Sequence, residues 1–313
     1  MPGADEQPPA RLRVTTVSAQ SPIRVRSRDR PAMVDPIRGT LAFAFIAASS
    51  VFWCTLIFCL GLVRPLFPRQ RRIPLGTAMV RAMAGWVRCA GWMLKALRIT
   101  RIHETNNEQS ATRTLRPDAW YLVVSNHQTW ADILILVVTL HGRIPQFKFF
   151  TKRELIWVPF IGPAMWFLEF PYVRRYSRAQ LEANPALRER DRQATLNACV
   201  GFRQRPTSVL VFLEGTRFTL AKRDAQGSPY RSLLNPRTGG FGMVLENMAD
   251  RLEAVVDVTI GYPGGAPPFW DFLCGRSPDV EIDIRALPLP PVDRDAVNAW
   301  VNRLWEEKDA RLR

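Results

Sequence analysis

His127 lies where an apolar run meets a helical pattern, five positions before Asp132. The run from residue 120 to residue 125 is rich in β-branched and aromatic residues, which indicates a buried strand. On one continuous helix, His127 and Asp132 would point about 140° apart. They can meet only if His127 precedes the helix and Asp132 reaches back from its first turn. A carboxylate on one imidazole nitrogen leaves the other free to accept a proton, as general-base catalysis requires.

The same corner also fits a purely structural pattern. Thr129 followed three residues later by Asp132 is a capping box, and an acidic residue in the first turn of a helix is favoured by the helix dipole. On these residues alone, catalysis and helix capping both stay open.

A second apolar strand is predicted at Val209 to Leu213, and it ends on the polar sequence Glu214-Gly215-Thr216-Arg217. The carboxyl ends of parallel strands meet at one edge of a sheet, so both polar segments are expected in one crevice. Glycine permits a tight bend near a ligand, and the arginine fork suits phosphate. A local ion pair between Glu214 and Arg217 is the structural alternative.

The two segments together resemble a known family. Asn126-His127-x-x-x-x-Asp132, followed by Phe212-Leu-Glu-Gly-Thr-Arg217, is similar to the first and third blocks of the glycerolipid acyltransferases, which include 1-acylglycerol-3-phosphate acyltransferase. The resemblance covers about residue 75 to residue 290. The stretch from Leu233 to Phe241 is similar to a Leu-Leu-x-Pro-Arg-Thr-x-Gly-Phe loop that follows the third block in one branch of the family.

This resemblance implies a direct acyl transfer. His127 would deprotonate the glycerol hydroxyl of a lysophospholipid acceptor, most simply 1-acyl-sn-glycerol-3-phosphate, while Asp132 orients the imidazole. The alkoxide would attack the thioester of acyl-CoA or acyl-ACP, with no metal and no further cofactor. Because no Gly-x-Ser-x-Gly elbow is present and no cysteine adjoins a histidine, an acyl-enzyme is not expected.

The resemblance also implies where the substrates bind. Arg175 takes the place of the second-block arginine that holds the acceptor phosphate, with Arg174 as its rival and a solvated strand edge as the structural alternative. Pro263 ends a stretch similar to the fourth block. Residues 145–155 are predicted to contain another strand, which leads to Lys152 and Arg153. The predicted substrate-binding residues are Lys152, Arg175, Glu214, Gly215, Thr216, Arg217 and Pro263.

Charge and composition indicate the partner class. The chain has 313 residues and a formal net charge of +15, which points to a polyanion. No zinc-finger, helix-turn-helix or RNA-binding signature argues for nucleic acid. A lipid bilayer is expected instead, since anionic lipids attract basic residues near a membrane segment. The five cysteines lack metal spacing, which favours a reduced protein without disulfides.

The N-terminal third is predicted to be the membrane-associated part. Residues 1–35 are basic and disordered, with a translation start at Met1 or Met33 left open. Residues 36–66 form a transmembrane helix, because Leu41 to Val63 carries no charge and is long enough to cross a bilayer. The arginines that follow predict, by the positive-inside rule, a cell inner membrane protein whose catalytic domain faces the cytoplasm.

Residues 67–98 are predicted to be an amphipathic helix in the membrane interface, because Arg81, Arg88 and Lys95 recur every seven residues. A second spanning helix and a core helix of the catalytic domain are the alternatives. Residues 99–291 then form the catalytic domain, an α/β fold with a layered, mostly parallel sheet flanked by helices. Residues 292–313 form a C-terminal helix that packs on the domain or on lipid.

Two functions from other classes remain as alternatives to the acyltransferase. A membrane hydrolase would use the same His127 and Asp132 with water in place of the acceptor hydroxyl. A non-catalytic membrane-shaping protein would need only the cationic helix and would leave His127 dispensable.

Overall fold

The computed structural model describes residues 34–105, 115–174, 184 and 186–312. The predicted disordered segment, apart from its last two residues, and Arg175 lie outside this part of the chain. The helices are α1 (Val34–Val63), α2 (Arg69–Ala96), α3 (Ala131–Thr139), α4 (Ile161–Phe167), α5 (Ala186–Phe202), α6 (Leu220–Ala225), α7 (Gly239–Met248), α8 (Phe269–Leu273) and α9 (Arg294–Arg311). The strands are β1 (Arg101–Glu104), β2 (Trp120–Ser125), β3 (Phe147–Phe149), β4 (Thr151–Lys152), β5 (Tyr172–Val173), β6 (Ser208–Phe212), β7 (Leu252–Gly261) and β8 (Asp279–Leu287).

Within these residues, six strands form one sheet in the order β1-β8-β7-β2-β6-β3. Every neighbouring pair is parallel except β7 and β8, which run antiparallel. The central position of β2 explains its uninterrupted apolar sequence, because helices cover both faces of a parallel sheet. The predicted α/β fold with a mostly parallel sheet is confirmed.

The two faces of the sheet carry separate hydrophobic cores. Tyr121 and Val123 of β2 join the core on the side of α2, α3 and α8. Leu122 and Val124, which point the other way, join the core formed with α5, α7 and α9. The C-terminal helix α9 therefore packs on the domain. The alternation along β2 follows from the two-residue period of a strand.

One predicted strand is divided between two sheets. The sequence from 145 to 155 predicted a single strand, but β3 stays in the main sheet while β4 pairs with β5 in a separate two-stranded parallel sheet. The division falls at Phe150, because the next residue, Thr151, donates its backbone N–H to the carbonyl of Pro171 at 2.8 Å. The prediction of one continuous strand was wrong for this reason.

Helices α1 and α2 form an antiparallel hairpin. The indole of Trp86 donates a hydrogen bond to Ser50 at 3.0 Å, and the rings of Phe45 and Trp92 lie 5.5 Å apart. Among the described residues, the segment 35–66 is the one helix long and apolar enough to cross a membrane by length and composition. Only 11% of its most apolar 18-residue stretch is buried inside the protein.

Helix α2 contacts protein along much of its apolar face. Val87, Ala90, Met93 and Leu94 are buried in the core beside α3, and Met79 and Ala82 pack in a cluster with α1 and α4. The three cations spaced by seven residues, Arg81, Arg88 and Lys95, stay exposed. The cationic stripe therefore exists as predicted, while most of the apolar side that we assigned to lipid is occupied by the hairpin partner and the catalytic domain.

Candidate active site

Asn126 fixes the corner at which β2 ends. Its side-chain amide donates to the carbonyl of Ile260 at 2.8 Å and accepts the backbone N–H of the same residue at 2.9 Å. Both residues are fully buried. Since Ile260 lies near the end of the neighbouring β7, this pair of hydrogen bonds joins the carboxyl ends of two strands and holds the next residue, His127, at the edge of the sheet.

His127 and Asp132 are in direct contact. The imidazole Nδ1 lies 2.9 Å from Asp132 Oδ2, which also accepts the backbone N–H groups of Gln128 at 2.6 Å and Thr129 at 2.9 Å. Because a carboxylate only accepts, Nδ1 carries the hydrogen and Nε2 is left as the basic nitrogen. The same carboxylate therefore accepts the backbone N–H groups ahead of α3 and holds the histidine, so the capping contacts are compatible with a catalytic histidine.

Thr129 does not take the capping role that the sequence predicted. Its hydroxyl donates to the carbonyl of Pro267 at 2.7 Å. Helix α3 begins at Ala131, and its N-cap residue is Trp130. The capping-box prediction holds for Asp132, which accepts the Thr129 N–H at 2.9 Å, and was wrong for the Thr129 hydroxyl, which bonds to Pro267. Thr129 instead ties this turn to the loop that follows β7.

Tyr262 is a partner of the pair that the sequence reasoning did not single out. Its hydroxyl donates to Asp132 Oδ1 at 2.7 Å, so both carboxylate oxygens are hydrogen-bonded. Burial and the nearby negative charge of Asp132 raise the pKa of Tyr262, which keeps the phenol a neutral donor. Its place directly before Pro263, at the end of a strand expected in the same crevice, was the signal that could have identified it.

Glu214 joins two loops of the site through its buried carboxylate. Oε1 accepts the backbone N–H of His127 at 2.7 Å, and Oε2 accepts that of Leu234 at 2.9 Å. The carboxylate is thus bound to backbone, and the structural alternative, a local ion pair with Arg217, is not what the described residues show. Burial raises the pKa of Glu214 to about 7, although the two backbone hydrogen bonds oppose that shift. An ionised carboxylate can accept both N–H groups, whereas a protonated one cannot accept them equally.

Gly215 and Thr216 shape the loop after Glu214. Gly215 has a φ of +67°, and a Cβ there would lie 3.2 Å from the side chain of Arg237. Glycine is required because few other residues adopt this backbone conformation. The hydroxyl of Thr216 accepts a hydrogen bond from Lys222 at 3.0 Å.

Arg217 is exposed beside the histidine corner. Its guanidinium lies over the ring of Trp130, 4.7 Å from the centroid, and the following residue, Phe218, donates its N–H to the carbonyl of His127 at 2.7 Å. The ring of Phe212 stacks on the imidazole of His127, with centroids 4.1 Å apart. Neither Trp130 nor Phe212 was among the predicted site residues, although Phe212 opens the third block, because an aromatic ring by itself does not mark a site.

The remaining predicted residues lie at different distances from this corner. Pro263 is exposed directly after Tyr262, at the same edge of the sheet. Lys152 is exposed at the end of β4, in the separate two-stranded sheet, where it pairs in register with Val173. Among the described residues, no hydrogen bond or ion pair joins Lys152 to His127, and Arg175 lies outside that part of the chain. The structure therefore brings together His127, Asp132, Glu214 and the loop that carries Arg217.

Fold and site define an α/β domain in which a buried aspartate holds a histidine at the carboxyl edge of a parallel sheet, beside an exposed arginine. A family model described as Acyltransferase matches residues 101–262, more than half of the chain. The chain belongs to the Acyltransferase family. The family resemblance read from the two sequence blocks is thereby confirmed.

Two named relatives and one solved structure illustrate the likeness. The 1-acyl-sn-glycerol-3-phosphate acyltransferase delta of Mus musculus is 30% identical over 204 residues, covering 60% of this chain and 51% of the relative. The 1-acyl-sn-glycerol-3-phosphate acyltransferase gamma of Homo sapiens is 28% identical, also over 204 residues, with the same shares of the two chains covered. The chain spans about half the length of the curated relatives it matches.

The crystal structure of the 1-acyl-sn-glycerophosphate (LPA) acyltransferase PlsC from Thermotoga maritima superposes with a TM-score of 0.54 at 16% identity. The alignment covers 90% of this chain and 98% of that one. At this identity the match shows a shared fold.

Proposed function

We propose that this chain transfers a fatty acyl group from acyl-CoA or acyl-ACP to the free hydroxyl of a lysophospholipid, with 1-acyl-sn-glycerol-3-phosphate as the acceptor. The observation that carries the proposal is the hydrogen bond between His127 and the fully buried Asp132. This contact fixes the tautomer that presents a basic Nε2 at the open edge of the sheet. Family membership and the names of the relatives support acyl transfer over other reactions that use the same pair.

In the proposed reaction, His127 Nε2 takes the proton of the acceptor hydroxyl as the oxygen attacks the thioester carbonyl. The tetrahedral intermediate collapses with loss of the thiolate, and the imidazolium returns its proton to the sulfur. Asp132 stabilises the imidazolium from 2.9 Å. A positioned base of this kind contributes about 10²- to 10⁴-fold to the rate. Glu214 holds the backbone of His127, so the ring is oriented from both sides.

The acceptor phosphate is assigned to basic side chains, which can pair with its negative charge. Arg217 is the central one, because its guanidinium is held over Trp130 beside the histidine corner. Lys152 and Arg175 are the further candidates carried over from the sequence. An arginine fork binds phosphate oxygens in pairs, which suits an acceptor with a terminal phosphate better than one with a choline headgroup.

The lipid bilayer is the proposed location of the substrate. α1 exposes a nearly continuous apolar surface, and the segment 155–166 beside it exposes Trp157 (85% accessible) and Trp166 (57%). Phe58 of α1 packs edge-on against Phe167 of α4, so the two apolar surfaces are continuous. Contiguous apolar surface of this kind marks a membrane contact. We place the chain at the cell inner membrane, with the catalytic domain on the cytoplasmic side, where the exposed cations of α2 would meet anionic lipid.

The test uses the full chain purified in detergent and returned to phospholipid vesicles, with radiolabelled acyl-CoA or acyl-ACP. Each donor is supplied with and without lysophosphatidate, and a panel of other lysophospholipids tests the headgroup. His127→Ala is compared with His103→Ala, a matched change on β1, where the exposed His103 contacts Asp279 at 2.8 Å. We expect labelled phosphatidate that requires lysophosphatidate, is lost with His127→Ala and is retained with His103→Ala.

The other outcomes overturn the proposal in distinct ways. Release of free fatty acid without an acceptor would identify a hydrolase. Unchanged transfer by His127→Ala would show that the imidazole is not the base, and binding or deformation of vesicles without turnover would favour the membrane-shaping role.

A further inference from the structure

The C-terminal helix α9 lies outside the residues matched by the family model, yet it contacts the loop that supports the site. The indole Nε1–H of Trp305 donates to the carbonyl of Leu234 at 2.9 Å. Trp305 is fully buried, and Leu234 is fully buried as well. A buried carbonyl without this donor would be left unsatisfied or would turn toward another partner.

The same peptide segment reaches the histidine in two further hydrogen bonds. The N–H of Leu234 donates to Glu214 Oε2 at 2.9 Å, and Glu214 Oε1 accepts the N–H of His127 at 2.7 Å. Three hydrogen bonds therefore connect the indole of Trp305 to the backbone of His127. Every atom of this path belongs to a residue that is buried or, for His127, largely buried.

The position of α9 along the sheet is fixed independently. Lys308, one turn beyond Trp305, is fully buried and donates to the carbonyl of Val258 at 2.6 Å and to Thr259 Oγ1 at 3.0 Å. It also pairs with the buried carboxylate of Asp257 at 2.6 Å. These contacts join α9 to β7, the neighbour of the strand that delivers His127.

Asp309 joins α9 to the supporting loop a second time. Its carboxylate accepts the backbone N–H groups of Ser232 at 2.8 Å and Arg231 at 3.2 Å. The loop is thus attached to α9 on both sides of Leu233, while α9 is attached to the sheet. A loop held at two points by a fixed helix has little freedom to shift.

We propose that Trp305 is a positioning residue of the active site, which holds His127 in place through Leu234 and Glu214. This inference rests on the proposed acyl transfer for its kinetic part. A residue that only fills the core would stabilise the fold without setting the orientation of the catalytic base. A displacement of about 1 Å at a reacting group costs up to about 100-fold in rate, so a small shift of this loop is visible in turnover.

The test compares Trp305→Phe with Trp300→Phe in the full chain. Phenylalanine at 305 keeps an aromatic ring but removes the N–H donor. Trp300 lies on the same helix and stacks on Phe241 with centroids 5.8 Å apart, so its replacement perturbs the packing of α9 away from the path. We expect Trp305→Phe to lower kcat about tenfold with both KM values within about twofold of wild type, and Trp300→Phe to leave kcat unchanged. Equal losses of kcat in the two variants would overturn the proposal.

Hydrogen–deuterium exchange supplies a readout that does not depend on activity. We expect Trp305→Phe to speed exchange in peptides that contain the N–H groups of His127 and Leu234, while peptides from β1 exchange as in wild type. Uniformly faster exchange would assign Trp305 a purely structural role. If the wild-type chain shows no acyl transfer, the proposed function fails. The difference in hydrogen exchange between wild type and Trp305→Phe at the amides of His127 and Leu234 still tests whether Trp305 holds the backbone of His127.

Discussion

Replacing Asp132 with Asn tests the central contact of the site with little change of shape. The amide oxygen can take the place of Oδ2, which accepts from His127 Nδ1 and from two backbone N–H groups. The amide nitrogen then faces the hydroxyl of Tyr262, which can rotate to accept. The substitution therefore removes the negative charge beside the imidazole while it keeps most of the hydrogen bonds.

The size of the effect follows from that charge. His127 Nδ1 and Asp132 Oδ2 are 2.9 Å apart, and the side chains are 13% and 0% exposed. Unit charges about 4 Å apart at an effective dielectric constant of about 20 attract by about 4 kcal/mol. In the proposed reaction the imidazolium forms by proton transfer from the acceptor, so this energy belongs to the transition state. Its loss corresponds to about a 10³-fold fall in kcat.

Tyr262→Phe provides the graded comparison. It removes the hydrogen bond to Asp132 Oδ1 but leaves the carboxylate charged. A hydrogen bond to a charged group contributes about 2 kcal/mol, so we expect a fall in kcat of no more than about 30-fold. Initial rates of phosphatidate formation, measured with both substrates saturating, give kcat for each variant, and thermal unfolding confirms that each is folded.

A double substitution gives the sharpest refutation. If Asp132 acts only through His127, the His127→Ala/Asp132→Asn chain is as slow as His127→Ala alone. Losses that multiply in the double variant would show that the two residues act separately. A kcat for Asp132→Asn within a factor of about three of wild type would show that the carboxylate has only its capping role.

Three further predictions concern Glu214, Arg217 and Gly162. Glu214→Gln removes a carboxyl group whose pKa rises from its ordinary value of 4.5 to about 7 in the fold. Because the folded pKa is the higher one, the contribution of Glu214 to stability is fully present below pH 4.5 and is lost by about pH 7. Denaturant titrations of wild type and Glu214→Gln give the difference between their free energies of unfolding, which should fall by about 3 kcal/mol across that range. A difference that does not change with pH would contradict this prediction. In steady-state kinetics, Arg217→Ala should raise KM for lysophosphatidate at least about tenfold and leave KM for the acyl donor unchanged, since a lost charged contact to phosphate costs about 1.5–3 kcal/mol. Equal changes in both KM values would refute the assignment of Arg217 to the acceptor phosphate. Gly162→Ala should destabilise the protein by about 1–3 kcal/mol, because a methyl group there collides with the backbone carbonyl oxygen of Ile156. Gly201→Ala is the control, since its methyl group would lie in open space, and it should not lower Tm.

Much of the fold was readable from short stretches of sequence. β2 and β8 follow runs whose burial pattern is set by neighbouring residues in the chain, and α9 follows a capped amphipathic pattern with Asp293 accepting two backbone N–H groups. The contact of His127 with Asp132 was also predictable, because five residues and a strand-to-helix bend bring the two side chains together.

The tertiary structure decided what lies across the strands. Thr129 bonds to a carbonyl 138 residues away, Tyr262 reaches Asp132 over 130 residues, and Trp305 reaches Leu234 over 71. No local period encodes such pairs, because they depend on which strand ends the sheet order places side by side. The sequence by itself determined the contact between His127 and Asp132 and the strand that ends at this corner, since both are local properties. The order of the strands in the sheet and the packing of α9 decided which distant residues bond to the histidine corner and to its supporting loop.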